Sequence, residues 1–292
     1  MSSPAVVEEV VTFSCGAARL WGIVSRPGPS VAAADTVVLI VVGGPQYRVG
    51  SHRQFVLLAR ALAGAGHATL RFDYIGMGDS DGALRSFEQA GPDLRAALDA
   101  LANACPRASR IVVWGLCDAA SAALMFASDD PRVAGIVAAN PWARSAATLA
   151  ATQLKHYYLA RLLQREFWRK LLRGGLRWGD SWRSLRRSLA ARLSRPSGGA
   201  DGNVAFQVAM ARGVKRLQGR LLLILSGNDL TAKEFIEYTQ SSDAWRGLLE
   251  QPKVARVDLP EADHTFSQRH WLDRVSAESI AWLQQFNRAQ PT

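Results

Sequence analysis

Cysteine is scarce in this chain, and long apolar runs are missing from it. Its 292 residues contain only Cys15, Cys105 and Cys117, set far apart and without metal-ligand spacing. This excludes a disulfide framework and a zinc site, and it points to a reducing compartment. No stretch approaches the roughly 18 apolar residues that a membrane-spanning helix needs. The start, MSSPAVVEEVVTF, has neither the basic head nor the apolar stretch of a secretory leader. The expectation is a cytoplasmic protein with no metal.

Acidic residues are scarce in one place. Twelve of the 35 Lys and Arg fall between positions 155 and 195, against only Glu166 and Asp180, so that segment holds the whole net charge of +10. Arg161, Arg165, Arg169 and Arg173 recur at every fourth position, which on a continuous helix makes one cationic stripe. Leu162, Leu163, Phe167 and Trp168 supply apolar surface beside it. Such a stripe suits an anionic membrane surface, where the protein would sit peripherally, or an acidic carrier or polysaccharide; it equally suits a plain solvated face. Nucleic acid is not expected, because no recognition motif accompanies the charge.

Apolar residues make up 48% of the chain, enough for a sizeable core. The runs 36–42, 68–73, 110–115, 133–140, 220–226 and 254–259 read as buried parallel strands. Helical stretches at 52–65, 87–104, 118–128, 231–249 and 268–287 alternate with them, and two earlier runs, VVTFSC and ARLWGIV, read as an edge hairpin. The spacing predicts an α/β fold with a mostly parallel sheet of about eight strands and helices on both faces. The alternation breaks after Pro141. Residues 1–140 and 220–292 are therefore read as two parts of one core, interrupted by a helical basic cap insertion at 141–219 that ends in the loop-forming SRPSGGADGN.

The run RIVVW enters Gly115-Leu116-Cys117-Asp118-Ala119 and continues as a small-residue helix. A nucleophile on a sharp strand-to-helix turn needs small neighbours two residues before and two after, which Gly115 and Ala119 provide. The turn also sets the thiol at a helix N-terminus, whose dipole favours a thiolate. Free cysteines are often mere buried residues, but here two partners follow in order. Asp229 lies just after the 220–226 run and His264 just after 254–259, at the strand ends where open α/β sheets build their sites. His264 would take the thiol proton and later activate water, with Asp229 fixing the imidazole. Asp263 is a rival acid. His52, His67, His156 and His270 follow no late strand and read as surface or cap residues.

After the 36–42 run comes Gly43-Gly44-Pro45. Proline has no N–H, so the Gly44 amide is the expected oxyanion donor, with the Asp118 amide as the second. The stretch Arg71-Phe72-Asp73-Tyr74-Ile75-Gly76-Met77-Gly78-Asp79-Ser80 has Asp81 where a dinucleotide fingerprint wants glycine, so it is read as structural and no cofactor is expected.

Gly-x-Cys-x-Ala, the Gly-Gly-Pro turn with Val42 where histidine is common, and Asp-x-x-Gly-x-Gly-x-Ser together resemble the α/β-hydrolase superfamily over nearly all the chain outside the insertion. GGPQYRVGSHRQF, LRFDYIGMGDSDG and the cysteine elbow are more narrowly similar to hydrolases associated with the exosortase A system (hydrolase 1 type), encoded beside exopolysaccharide and protein-sorting genes. The cysteine also resembles that of dienelactone hydrolases and polyhydroxyalkanoate synthases. What the resemblance implies is an esterase or thioesterase working through a Cys117 acyl-enzyme on a small-molecule or carrier-bound acyl substrate. Two alternatives stay open: acyl transfer from the same intermediate, and a catalytically weak binding or scaffold protein.

Overall fold

A computed structural model describes residues 6–44, 46–143 and 205–288 of the chain. Eight strands form one sheet: β1 (Val6–Cys15), β2 (Ala18–Pro27), β3 (Thr36–Val41), β4 (Thr69–Phe72), β5 (Arg110–Leu116), β6 (Val133–Ala139), β7 (Arg220–Ser226) and β8 (Val254–Leu259). Their order is β1-β2-β4-β3-β5-β6-β7-β8. The hairpin β1–β2 is antiparallel and joins β4 antiparallel, while every pairing from β4 to β8 is parallel. The expected sheet is thus the observed one.

Strand alternation builds two cores. All six residues of β3 are buried. Val37, Leu39 and Val41 face one side and Val38 and Ile40 the other, because successive side chains of a strand point to opposite faces. The first side is covered by α2 (Gly91–Ala104), α3 (Asp118–Phe126), α4 (Phe206–Arg216) and α5 (Leu230–Ser241), which contribute Leu94, Ala123, Met210 and Phe235. The second is covered by α1 (Gln54–Gly64) and α6 (Arg269–Arg288), which contribute Phe55 and Trp282.

Helix α4 differs from the sequence reading, which placed 206–216 inside the insertion. It lies in the same unit as the sheet and buries Met210, Ala211 and Val214 in the first core. Gly213 marks how closely it packs, since a Cβ there would run into the Leu124 carbonyl. Residues 144–204, which include Arg161, Arg165, Arg169, Arg173 and His156, lie outside the described residues. The chain departs and returns side by side, with Gln207 Nε2 donating to the Ala143 carbonyl at 3.3 Å.

The strand order has a functional consequence. From β3 the chain moves outward to β4, then returns to place β5 on the other side of β3. The loops after β3 and β5 therefore diverge, and open α/β sheets bind ligands in the crevice at such a switch point. Gly43 and Gly44 follow β3, and Cys117 follows β5.

Candidate active site

Cys117 has φ 63° and ψ −126°, in the region that side chains rarely adopt. The strain is supported by close packing of the turn. A Cβ on Gly115 would lie 2.7 Å from the backbone of Ala119 and Ala120, so only glycine lets β5 and α3 meet this closely. Ala119 itself is fully buried. Cys117 N–H donates to the Ala139 carbonyl at 2.9 Å, and the Cys117 carbonyl accepts from Ser121 and Trp142. Ser121 Oγ donates to the Trp142 carbonyl at 2.7 Å, so the stretch just after β6 is tied to the elbow.

The loops after β7 and β8 bring the expected partners together. Gly227 N–H donates to the Leu259 carbonyl and Asn228 N–H to the Ala262 carbonyl, fastening one loop to the other. His264 Nδ1 donates to Asp229 Oδ2 at 2.8 Å, which leaves the other ring nitrogen clear of the acid, and Cys117 lies near enough to help raise the ring's pKa. Asp229 also caps α5, accepting from Thr231 N–H at 3.0 Å and Ala232 N–H at 3.2 Å. Burial works to raise the Asp229 carboxyl, but the bond and charge of His264 and the two cap amides outweigh it and hold the group below its ordinary value. His264 is pushed up to about 10, first by the Asp229 bond, then by Cys117, against the opposing effect of burial.

Asp263, the rival acid, has its carboxylate turned elsewhere. It accepts from Ser267 Oγ, from Ser267 N–H at 2.9 Å and from Thr265 N–H at 3.2 Å. Among the other histidines, His52 is exposed and shares a 3.1 Å hydrogen bond with the Thr265 carbonyl, and His270 is exposed beside Trp271. His67 is not a surface residue. It is buried against the Thr36 carbonyl at 2.8 Å, and burial lowers its pKa, which favours the neutral ring.

The expected oxyanion elements flank the elbow, with one difference. Gly43 packs against it so tightly that a Cβ would strike the Asp118 carboxylate and the Leu116 carbonyl. The Gly44 amide, expected to face a substrate, donates instead to Asp118 Oδ1 at 2.6 Å. The stretch from Asp73 to Ser80 is structural, as read: buried Asp73 accepts from Arg48 N–H at 2.6 Å and pairs with the Arg48 guanidinium, and Ser80 Oγ donates to the Asp73 carbonyl. Arg48 lies just past the glycine turn, so this ion pair holds that turn against β4.

One positioning residue escaped the sequence reading. Asn140, fully buried at the end of β6, has φ 42°, a conformation that asparagine tolerates better than most residues. Its Nδ2 donates to Ser226 Oγ at 2.9 Å and to the His264 carbonyl at 3.0 Å, and its Oδ1 accepts from Ser226 N–H at 2.8 Å. Ser226 Oγ in turn donates to the Asp263 carbonyl at 2.9 Å. One side chain thus ties the end of β7 to the backbone of the histidine loop.

A doubly wound sheet with a strained residue on a strand-to-helix elbow, and an Asp–His pair reaching it from two later strand ends, defines the α/β-hydrolase fold class. Residues 37–278 match the Alpha/beta hydrolase family, and the chain belongs to that family. Among solved structures it is similar to an esterase of Pyrococcus furiosus, with 18% identity over 96% of this chain and 92% of that one and a TM-score of 0.63. A dienelactone hydrolase of Anabaena variabilis gives 18% identity, 97% and 99% coverage and a TM-score of 0.60. A lidless serine hydrolase of Xanthomonas campestris gives 15% identity, 97% and 97% coverage and a TM-score of 0.58. No curated protein matches the chain significantly. Among the described residues no group of three or more His, Cys, Asp or Glu could hold a metal ion.

Proposed function

We propose that the protein hydrolyses an ester or thioester through a Cys117 acyl-enzyme, with His264 as proton carrier and Asp229 as its anchor. The observation that carries the reading is the 2.8 Å hydrogen bond of His264 to Asp229, made at two strand ends beside the strained Cys117 elbow. The Cys117 proton passes to His264, whose pKa, pushed up to about 10, keeps the imidazolium so formed, and the thiolate is the nucleophilic form of cysteine. The thiolate attacks the acyl carbon, a C–S bond forms, and the carbonyl π pair moves to oxygen. When the tetrahedral intermediate collapses, the C–O or C–S bond to the leaving group breaks, and His264 gives that group its proton.

Acylation then changes the histidine. Cys117 helps the imidazole keep its proton, and a thioester sulfur, which cannot carry a charge, does so less. The pKa of His264 falls accordingly, which suits it to take a proton from the water that attacks the thioester. The same logic permits an alcohol or amine in place of water, so acyl transfer remains the second reading. The esterase and dienelactone hydrolase likenesses support an acyl substrate, and the resemblance to exosortase-associated hydrolases points to an ester or thioester of exopolysaccharide metabolism. The basic segment at 155–195 is proposed to attract an anionic substrate carrier or membrane surface.

The test is capture of the acyl-enzyme by mass spectrometry from a panel of p-nitrophenyl esters and acyl thioesters. The adduct is expected on Cys117, absent in Cys117→Ala, with turnover in Cys117→Ser reduced to ~1% or less, because a hydroxyl is far less acidic than a thiol. Turnover at the parent rate by Cys117→Ala would overturn the assignment and favour a different nucleophile. A parent that binds acyl compounds without forming any adduct would favour the scaffold alternative.

A further inference from the structure

The proposed chemistry needs an anion site beside Cys117, and a carboxylate already lies there. Gly44 N–H donates to Asp118 Oδ1 at 2.6 Å. The amides of Ala119 and of Asp118 itself further stabilise the same carboxylate. Gly44 and Asp118 are the two donors that a tetrahedral oxyanion would require in this fold. An aspartate carboxylate is itself an anionic oxygen acceptor, so in this rotamer it engages the Gly44 amide that the reaction would otherwise use.

We propose that the Asp118 side chain is a resident competitor for the oxyanion, occupying the anion site in the resting enzyme and releasing it only by swinging away or taking a proton. The inference rests on the acyl-enzyme reading above. Three physical points support it. At 2.6 Å the Gly44 amide hydrogen is fully engaged, so a second anionic oxygen cannot share it in good geometry. Burial pushes the Asp118 carboxyl up, so neutralising it is easier than for an exposed aspartate. Gly43 packs directly on the carboxylate, so its departure also loosens the turn that carries the Gly44 amide.

The functional consequence is discrimination. A small ester brings little binding energy with which to displace the carboxylate, and its intermediate forms slowly. A larger acyl substrate can use contacts away from the reacting carbon to drive the displacement, which converts remote binding into rate. Asp118 would thereby suppress reaction with small esters that make few such contacts.

The experiment compares the parent protein with Asp118→Ala and Asp118→Asn. The probe is a short aliphatic trifluoromethyl ketone. The Cys117 sulfur adds to its carbonyl, the π pair moves to oxygen, and no group leaves, so affinity reads the hole alone. Alkylation by iodoacetamide, which displaces iodide and forms no oxyanion, is measured beside it. Removing the carboxylate is expected to raise ketone affinity relative to the alkylation rate by about tenfold or more, since a single oxyanion donor is worth about 100- to 1,000-fold in rate. Asp118→Asn keeps the size of the side chain and a neutral acceptor for Gly44, so it guards against misfolding of the alanine variant and should shift the ratio the same way by less. An unchanged or lower ratio in both variants overturns the proposal and makes Asp118 a clamp for the turn. If iodoacetamide labels Cys117 no faster than Cys15 or Cys105 in the parent, the acyl-enzyme reading has failed and the proposal falls with it.

Discussion

In the proposed mechanism His264 carries more of the chemistry than any other single side chain, and its proton can be followed in stability as well as in rate. An unperturbed histidine titrates at 6.5, whereas His264 in the folded chain keeps its proton to about 10. A folded state that binds a proton more tightly than the unfolded chain is stabilised by it. That contribution is whole below about 6.5 and is lost as the pH rises through about 10. Asp229 behaves oppositely: held below its ordinary 3.8, it stabilises the fold above that value and ceases to do so as the pH falls through its folded-state pKa. Between about pH 6 and about pH 10.5 the melting temperature of the parent should therefore approach that of His264→Gln. A constant gap between the two across that range would mean that the imidazole is not held as a cation by Asp229 and Cys117.

At the scale of elements, the site depends on strand ends being fixed relative to one another, and Asn140 is the joint most exposed to test. Asn140→Ala strands the buried Ser226 N–H and takes a donor from the His264 carbonyl, while leaving at φ 42° a residue that tolerates that conformation less well than asparagine. A loss of about 2–4 kcal/mol in unfolding free energy is expected. If the joint also aims the histidine, kcat should fall by about tenfold or more while KM changes little. Stability loss with unaltered kcat would reduce Asn140 to a packing residue. None of this was legible in the sequence, where a single asparagine at the end of an apolar run looks like any strand stop. The parallel strands were legible because each is a short apolar run bounded by turn residues, and the elbow because crowding restricts its residues. Helix α4 was lost because it directly follows the Gly/Ser-rich stretch of the sequence and carries basic residues like those of the segment before it. The rotamer of Asp118, which reaches a glycine 74 positions away, and the burial of His67 depend on tertiary contact alone.

The whole molecule is electrically lopsided in a way the proposed catalytic residues do not share. Outside residues 155–195 the chain is balanced, with equal numbers of basic and acidic residues, so the net +10 belongs to a segment separate from the elbow and both strand-end partners. Charges concentrated in this way act at a distance, raising the local concentration of an anionic partner and the rate of encounter, and they are screened over about 8 Å at physiological salt. Replacing Arg161, Arg165, Arg169 and Arg173 by glutamine removes four of those charges without touching Cys117, Asp229 or His264. Turnover of a small neutral ester should then stay within about twofold of the parent, because no long-range field is needed to bring a neutral molecule to the sulfur. Turnover of a thioester on an acidic acyl carrier, or attachment to vesicles of about one-third phosphatidylglycerol, should weaken severalfold in the variant and in the parent at high salt. A parent whose carrier turnover and vesicle binding are both indifferent to salt, and unchanged by the four substitutions, would show that the segment recruits neither partner.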